Sequence, residues 1–407
     1  MTRHSARRLA FAALLLAVAA GYVVAGLALW HTSVPGDLRL PPLDPALLFG
    51  EHALARSASY ERFLRVDELL ALVVLLVALA LYAARGERLA RESAAGRIGT
   101  GLLLAMLGFA VVWIVALPFD LAALWWQRRH GIVSEDYLTR VIGSWWALGG
   151  EFLFVSFALA IVMGLARPLR QWWWVAGAPI FSGLAVLFAF LWPLAMPDAT
   201  RPRSAALNDD VRQLARAEGV DDVEVRVAPV RDFTTAPNAE AAGFGPTKRV
   251  ILWDTLLDGR FPRRELRVVI AHELGHLQRH HVQKLLALYA LLAFPGAFLI
   301  ERATRRRGGM YAARAVPLAL FVFVALQLLA LPLQASLARR LEAEADWVAL
   351  QTTRDPNGAA GLFRRFTTTT LEHPDPPAWF QKVLGTHPTV MERTAMARAW
   401  QARAIAR

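Results

Sequence analysis

His272, Glu273 and His276 are the residues best placed to do chemistry in this chain of 407 residues. They stand in "AHELGHLQRHH", Ala271 to His281. Residues four apart lie on one face of a helix, so both imidazoles can be offered to one metal ion, with Glu273 on the flank. Zinc in a hydrolytic site takes three protein ligands and leaves a fourth position to water, so one more donor is needed. The sequence has no cysteine, which leaves histidine, aspartate and glutamate. His280 and His281 are nearest. A further histidine ligand in the metzincin pattern would need glycine where Arg279 stands and histidine where Val282 stands, so that route fails.

The remaining donors lie in "ARRLEAEAD", Ala338 to Asp346. Glu342 and Asp346 are four apart and share a helical face. Glu342 can coordinate while Asp346 accepts the other ring N–H of a ligand histidine, which fixes its tautomer. Glu344 lies roughly 200° around the same helix from Glu342, so the two cannot both face the metal. Spacing alone leaves both open.

The elements that must position these residues are mostly apolar. The chain is 56% hydrophobic, and seven runs approach the ~20 residues needed to cross a bilayer: Leu9–Trp30, Leu69–Ala84, Ile98–Trp126, Val141–Ala166, Trp172–Leu194, Val282–Ile300 and Ala315–Leu337. The first exceeds the ~7–15 residues of a signal-peptide core and is expected to remain as a span. Asp120 and Glu151 sit inside such runs, where a carboxylate is expected to face a polar cavity. The net charge is +12, with only three lysines, and the arginines cluster beside the spans. That pattern fits membrane flanks and argues against a nucleic-acid partner.

Composition turns polar at Met196. Ser204 to Ala217 reads as an amphipathic helix stopped by Gly219, Val223–Val230 and Lys248–Leu257 as strands, and the segment after Pro262 as the helix that carries the histidines. The fold expected is mainly α: a seven-span transmembrane helical protein with an inserted α+β domain. Residues 1–196 would hold five spans, 197–281 the α+β segment, 282–337 two more spans, and 338–407 the remainder with the third ligand.

"NAEAAGFGPTKRVILWDTLL", "AHELGHLQRHH" and "ARRLEAEAD" together resemble the CAAX prenyl protease 1 family, integral-membrane zinc metallopeptidases of gluzincin type. The resemblance implies a zincin-like peptidase domain with one zinc per chain on His272, His276 and Glu342, and Asp346 behind a ligand histidine. Glu344 is then expected to be dispensable. In "THPTVMER" it implies that His387 and Arg393 stabilise an oxyanion. It implies that Asn238 and Ala239 pair with an extended substrate backbone. Glu240 departs from the family pattern, which has an aromatic residue there.

The expected activity is endopeptidase cleavage of peptides or membrane-associated proteins, with Glu273 as base toward water and then as acid toward the leaving amine. A catalytically silent zinc sensor or scaffold would not need Glu273, and a transporter would not need the zinc set. The expected location is a bacterial inner membrane. Arginines in short loops, among them Arg85, Arg88, Arg91 and Arg97, favour the side of the N-terminus roughly twofold, which places the zinc domain outside the cytoplasm. The resemblance places it inside.

Overall fold

The computed structural model describes residues 3–89, 95–195, 199–220 and 222–406. The composition break at Met196 and the loop base Arg91 lie outside them. Among the described residues the chain forms thirteen α-helices and three strands. The N-terminal half holds α1 (Arg3–Trp30), α2 (Pro45–Phe49), α3 (Glu51–Leu89), α4 (Gly96–Arg129), α5 (Tyr137–Leu169) and α6 (Trp173–Leu191). The polar segment holds α7 (Ala205–Glu218), β1 (Glu224–Ala228), β2 (Ala239–Ala242), β3 (Arg249–Trp253) and α8 (Arg263–Gln278). Two long helices follow, α9 (His281–Thr304) and α10 (Val316–Thr353). The chain closes with α11 (Pro356–Thr370), α12 (Ala378–Val383) and α13 (Val390–Ile405).

Among the described residues five stretches are long and apolar enough to cross a bilayer: Glu51–Gly86, Gly96–Arg129, Tyr137–Leu194, His281–Arg307 and Ala313–Thr353. Leu16–Trp30 is a shorter apolar helix. The fourth and fifth expected spans fall in the one stretch Tyr137–Leu194, where a 3-10 turn at Arg170–Trp172 separates α5 from α6. Arg170 has a positive φ of 52° there, which ends α5. The second expected span lies in α3, which already begins at Glu51, so Arg56, Arg62 and Arg65 sit on a helix rather than in a loop. Asp120 and Glu151 are exposed on α4 and α5. Neither lines the apolar cavity of about 470 Å³ between α4, α5, α6, α9 and α10.

The polar segment folds by the periodicities its sequence carries. Ser204 caps α7 by accepting from the Leu207 amide, and Gly219 ends it in the left-handed region at φ 66°. Leu207, Val211 and Leu214 bury one face of that helix against Val250 and Leu252 of β3 and Val268 of α8. Each such fully buried side chain contributes roughly 1.5–3 kcal/mol. The sheet has the order β1-β3-β2, with β1 parallel and β2 antiparallel to β3. β2 is therefore an edge strand, with Ala239 opposite Leu252 and Glu240 opposite Ile251.

At 1.5 Å per residue α10 runs about 57 Å, nearly twice the ~30 Å hydrocarbon thickness. Its first half is apolar span. Its second half enters the core of the polar domain through Trp347, Ala349 and Leu350. One helix thus joins bilayer and site, and Leu337 and Leu341 at its middle pack with Leu29 of α1 and Leu288 of α9.

Candidate active site

α8 is a buried helix. Val268, Val269, Ile270, Ala271 and Leu274 all lie in the interior, and Glu265 in its first turn is tied to Arg365 of α11 at 2.7 Å. It ends at Arg279, after which His280 adopts φ 55° and turns the chain into α9. His280 is exposed and does not join the site. Gly275 sets how closely α8 meets α10. A Cβ there would lie 3.2 Å from the Cβ of Val348 and 3.4 Å from the Cα of Ala345.

This close crossing brings three ligand atoms together. His272 Nε2 lies 3.2 Å from Glu342 Oε2, and His276 Nε2 lies 3.5 Å from Glu342 Oε1. The two Nε2 atoms are 3.1 Å apart. Two imidazole nitrogens bound tetrahedrally to one zinc at 2.0–2.1 Å would be separated by roughly 3.3 Å. The three ligand atoms all lie within 4.8 Å of one another.

The outer nitrogens are already engaged. His272 Nδ1 is 2.9 Å from Asp346 Oδ1, so the carboxylate accepts its proton. His276 Nδ1 is 2.9 Å from His281 Nδ1, and His281 Nε2 is 3.1 Å from Glu344 Oε2. The carboxylate assigns the proton of His281 to Nε2, which leaves His281 Nδ1 to accept from His276. Both ligand imidazoles therefore turn a lone pair inward at Nε2. Glu342 Oε2 beside them is buried and, among the described residues, has no hydrogen-bond partner. Two lone pairs and an orphaned carboxylate oxygen fit a divalent cation. Burial pushes His272 down, but Asp346 and Glu342 outweigh it and raise the imidazole to about 10. Those carboxylates also make it a more basic ligand, so proton and metal compete for Nε2.

Glu273 lines the same cleft of about 310 Å³ as His272, His276, Glu342, His387, Asn238 and Ala239. Burial raises its carboxyl above the ordinary range, against the pull of His272 and His276. β2 forms one wall. Asn238 just precedes it and accepts from the Trp253 amide at 2.9 Å.

His387 Nε2 lies 3.4 Å from Glu342 Oε2 at the open side of the cleft. Arg393 does not line the cleft. It stands behind the metal set and donates from Nε and Nη2 to Asp346 at 2.8 and 2.7 Å. The role expected for it, contact with an oxyanion, differs from this placement: its planar fork is spent on the carboxylate that orients His272. A capping box at the start of α13, in which Thr389 and Glu392 each satisfy the other's backbone amide, fixes the turn that points Arg393 inward.

Residues 202–401 match the family model for peptidase family M48. That segment is a peptidase M48 domain, and the chain is a zinc metallopeptidase. An uncharacterized metalloprotease of Bacillus subtilis (strain 168), YhfN, is 25% identical over 303 residues, covering 69% of this chain and 69% of its own. A protease HtpX homolog of Tropheryma whipplei (strain TW08/27) is 26% identical over 273 residues, covering 62% of this chain and 88% of its own. The crystal structure of S. mikatae Ste24p superposes with a TM-score of 0.70 over 91% of this chain and 92% of that one, at 16% identity. That likeness is one of fold. The long apolar helices make this peptidase an integral membrane protein.

Two residues that line or support this M48 site were not placed there by sequence reasoning. The sequence offers His281 only as a candidate metal ligand, yet it is 2% exposed and contacts His276. Glu344 was expected to be dispensable. It is 2% exposed and gathers His281, the Lys284 ammonium at 3.0 Å and the Ser33 backbone amide at 2.7 Å. Its helical angle does turn it away from the metal, but toward a second buried set of partners.

Proposed function

We propose that this M48 peptidase is a seven-span endopeptidase of a bacterial inner membrane, with one zinc per chain on His272, His276 and Glu342, acting on peptides or membrane-associated proteins. The observation that carries the ligand set is the convergence of two Nε2 lone pairs on a buried, otherwise unpartnered carboxylate oxygen. A zinc ion there supplies Lewis acidity, lowering the pKa of a water toward ~7 and polarising a carbonyl.

Glu273 takes the proton from the attacking water and returns it to the leaving amine. Its raised pKa moves it toward the working range of a base at neutral pH. His387, at the open side of the cleft, faces the position of the developing oxyanion. Asp346 holds the tautomer of His272, and Arg393 holds Asp346. The free edge of β2 from Asn238 and Ala239 aligns an extended peptide by strand addition.

Seven spans follow if α1, whose apolar part Leu16–Trp30 is shorter, crosses and α5 and α6 each cross as well. Their common stretch of 58 residues would measure about 87 Å as one helix, far more than one crossing requires. The layout is then five spans within 1–196, the α+β segment at 197–281, two spans within 282–337 and the rest of the peptidase domain at 338–407. The arginine bias places the zinc domain outside the cytoplasm. Alkaline phosphatase fused after Arg407 should be active, and a fluorescent green fluorescent protein fusion there would reverse the orientation. Elemental analysis tests the ligand set: Glu342→Ala should lose most of the single zinc of the wild type. Undiminished zinc in that variant would overturn it.

A further inference from the structure

Glu240 is a carboxylate at the reaction cleft that the chemistry above does not use. It sits on the edge strand β2 opposite Ile251, is half-buried, and lines the same cleft as Glu273 and the metal set. Burial raises its carboxyl, and the charge of Glu273 nearby raises it further.

Among the described residues no hydrogen bond or ion pair holds its carboxylate, whereas Asp346 and Glu344, the carboxylates behind the metal set, are matched. Asp346 has Arg393. Glu344 has His281, Lys284 and Arg279, so those two cations are not free to swing toward Glu240. In the loaded site, two metal charges are balanced by Glu342 and Glu273. Glu240 remains as one uncompensated negative charge, and a partly desolvated carboxylate without a partner is costly.

The surroundings suit a long cationic side chain. Ala239, Ala241 and Ala338 leave room, and Val282, Leu285 and Leu341 offer apolar surface for an aliphatic stem. A peptide added along β2 would present alternate side chains to the face that carries Glu240.

We propose that Glu240 selects substrates bearing a lysine or arginine side chain beside the scissile bond. This rests on the peptidase reading, and its test reads binding rather than turnover. Zinc-loaded Glu273→Gln protein in detergent is titrated with fluorescent peptides carrying lysine, arginine, norleucine or glutamate at each position in turn. At one position lysine or arginine should bind about tenfold tighter than norleucine. Adding Glu240→Gln should erase that difference, and Glu240→Arg should shift preference to glutamate. Equal binding of lysine and norleucine at every position, no binding of basic peptides, or a preference that survives Glu240→Gln overturns the proposal. Failure of the wild type to hydrolyse peptides would instead count against the peptidase reading alone.

Discussion

Arg393 clasps both oxygens of Asp346, at 2.8 and 2.7 Å, and Asp346 passes that restraint to His272 Nδ1 at 2.9 Å. The arginine thereby acts on the metal site through two intermediaries. Lysine offers a point charge rather than a planar fork, so Arg393→Lys should leave the fold intact and weaken zinc binding ~10–100-fold. Arg393→Ala leaves a buried carboxylate without its cation and should also destabilise the protein by about 3–5 kcal/mol. Chelator competition measures the first effect and thermal unfolding the second. Wild-type zinc affinity in Arg393→Lys would remove the arginine from the site's support.

Gly275 permits the crossing that brings Glu342 to the two histidines. An added methyl would press on Val348 at 3.2 to 3.3 Å, too close for comfort in a packed interface. Gly275→Ala should cost about 1–3 kcal/mol and reduce zinc affinity, because it spreads α8 from α10. Gly275→Ala with Val348→Ala should recover part of both losses, measured by the same titration and melt.

Glu344 gathers His281, Lys284 and the Ser33 amide in a buried cluster. Glu344→Ala strands those donors and should destabilise the protein by about 3–5 kcal/mol, with weaker zinc binding because His281 no longer holds the tautomer of His276. Thermal unfolding close to that of the wild type would show that the cluster carries no such weight.

Glu218, at the end of α7, is 4% exposed and neither carboxylate oxygen has a well-formed hydrogen bond. Burial pushes it from 4.5 up to about 8, with weak relief from Thr352 and His272. The folded state holds a proton that the unfolded chain releases, so stability falls as pH rises from about 4.5 to about 8 and is flat on either side. Glu218→Gln cannot ionise. Its melting temperature should match the wild type near pH 4.5 and exceed it by about 3 °C or more above pH 8. Parallel melting curves across that range would show that Glu218 finds a partner on ionising.

Spacing within one helix made half of the site legible. The four-residue interval of His272 and His276, and that of Glu342 and Asp346, predict shared faces from the helical period alone. The contacts between helices follow from docking and are not written in any local interval. Arg393 meets Asp346 because α13 enters at a fixed angle after its capping box, a signal that Thr389 and Glu392 do carry. Helical angle excludes Glu344 from the face that Glu342 presents to the metal, and nothing in the local sequence marks its partners. Its partners come from the α1–α2 connection and from α9. Similarly, apolar periodicity located the long helices but not their ends, since α3 begins eighteen residues before the apolar run at Leu69. Its first turns are held by packing rather than by hydropathy.

The central claim is that Glu273 acts as a base at a zinc held by other residues. Purified wild type and Glu273→Gln should contain the same zinc, one per chain by elemental analysis, while peptide hydrolysis falls to background in the variant. Hydrolysis retained by Glu273→Gln, with its zinc in place, would contradict the account.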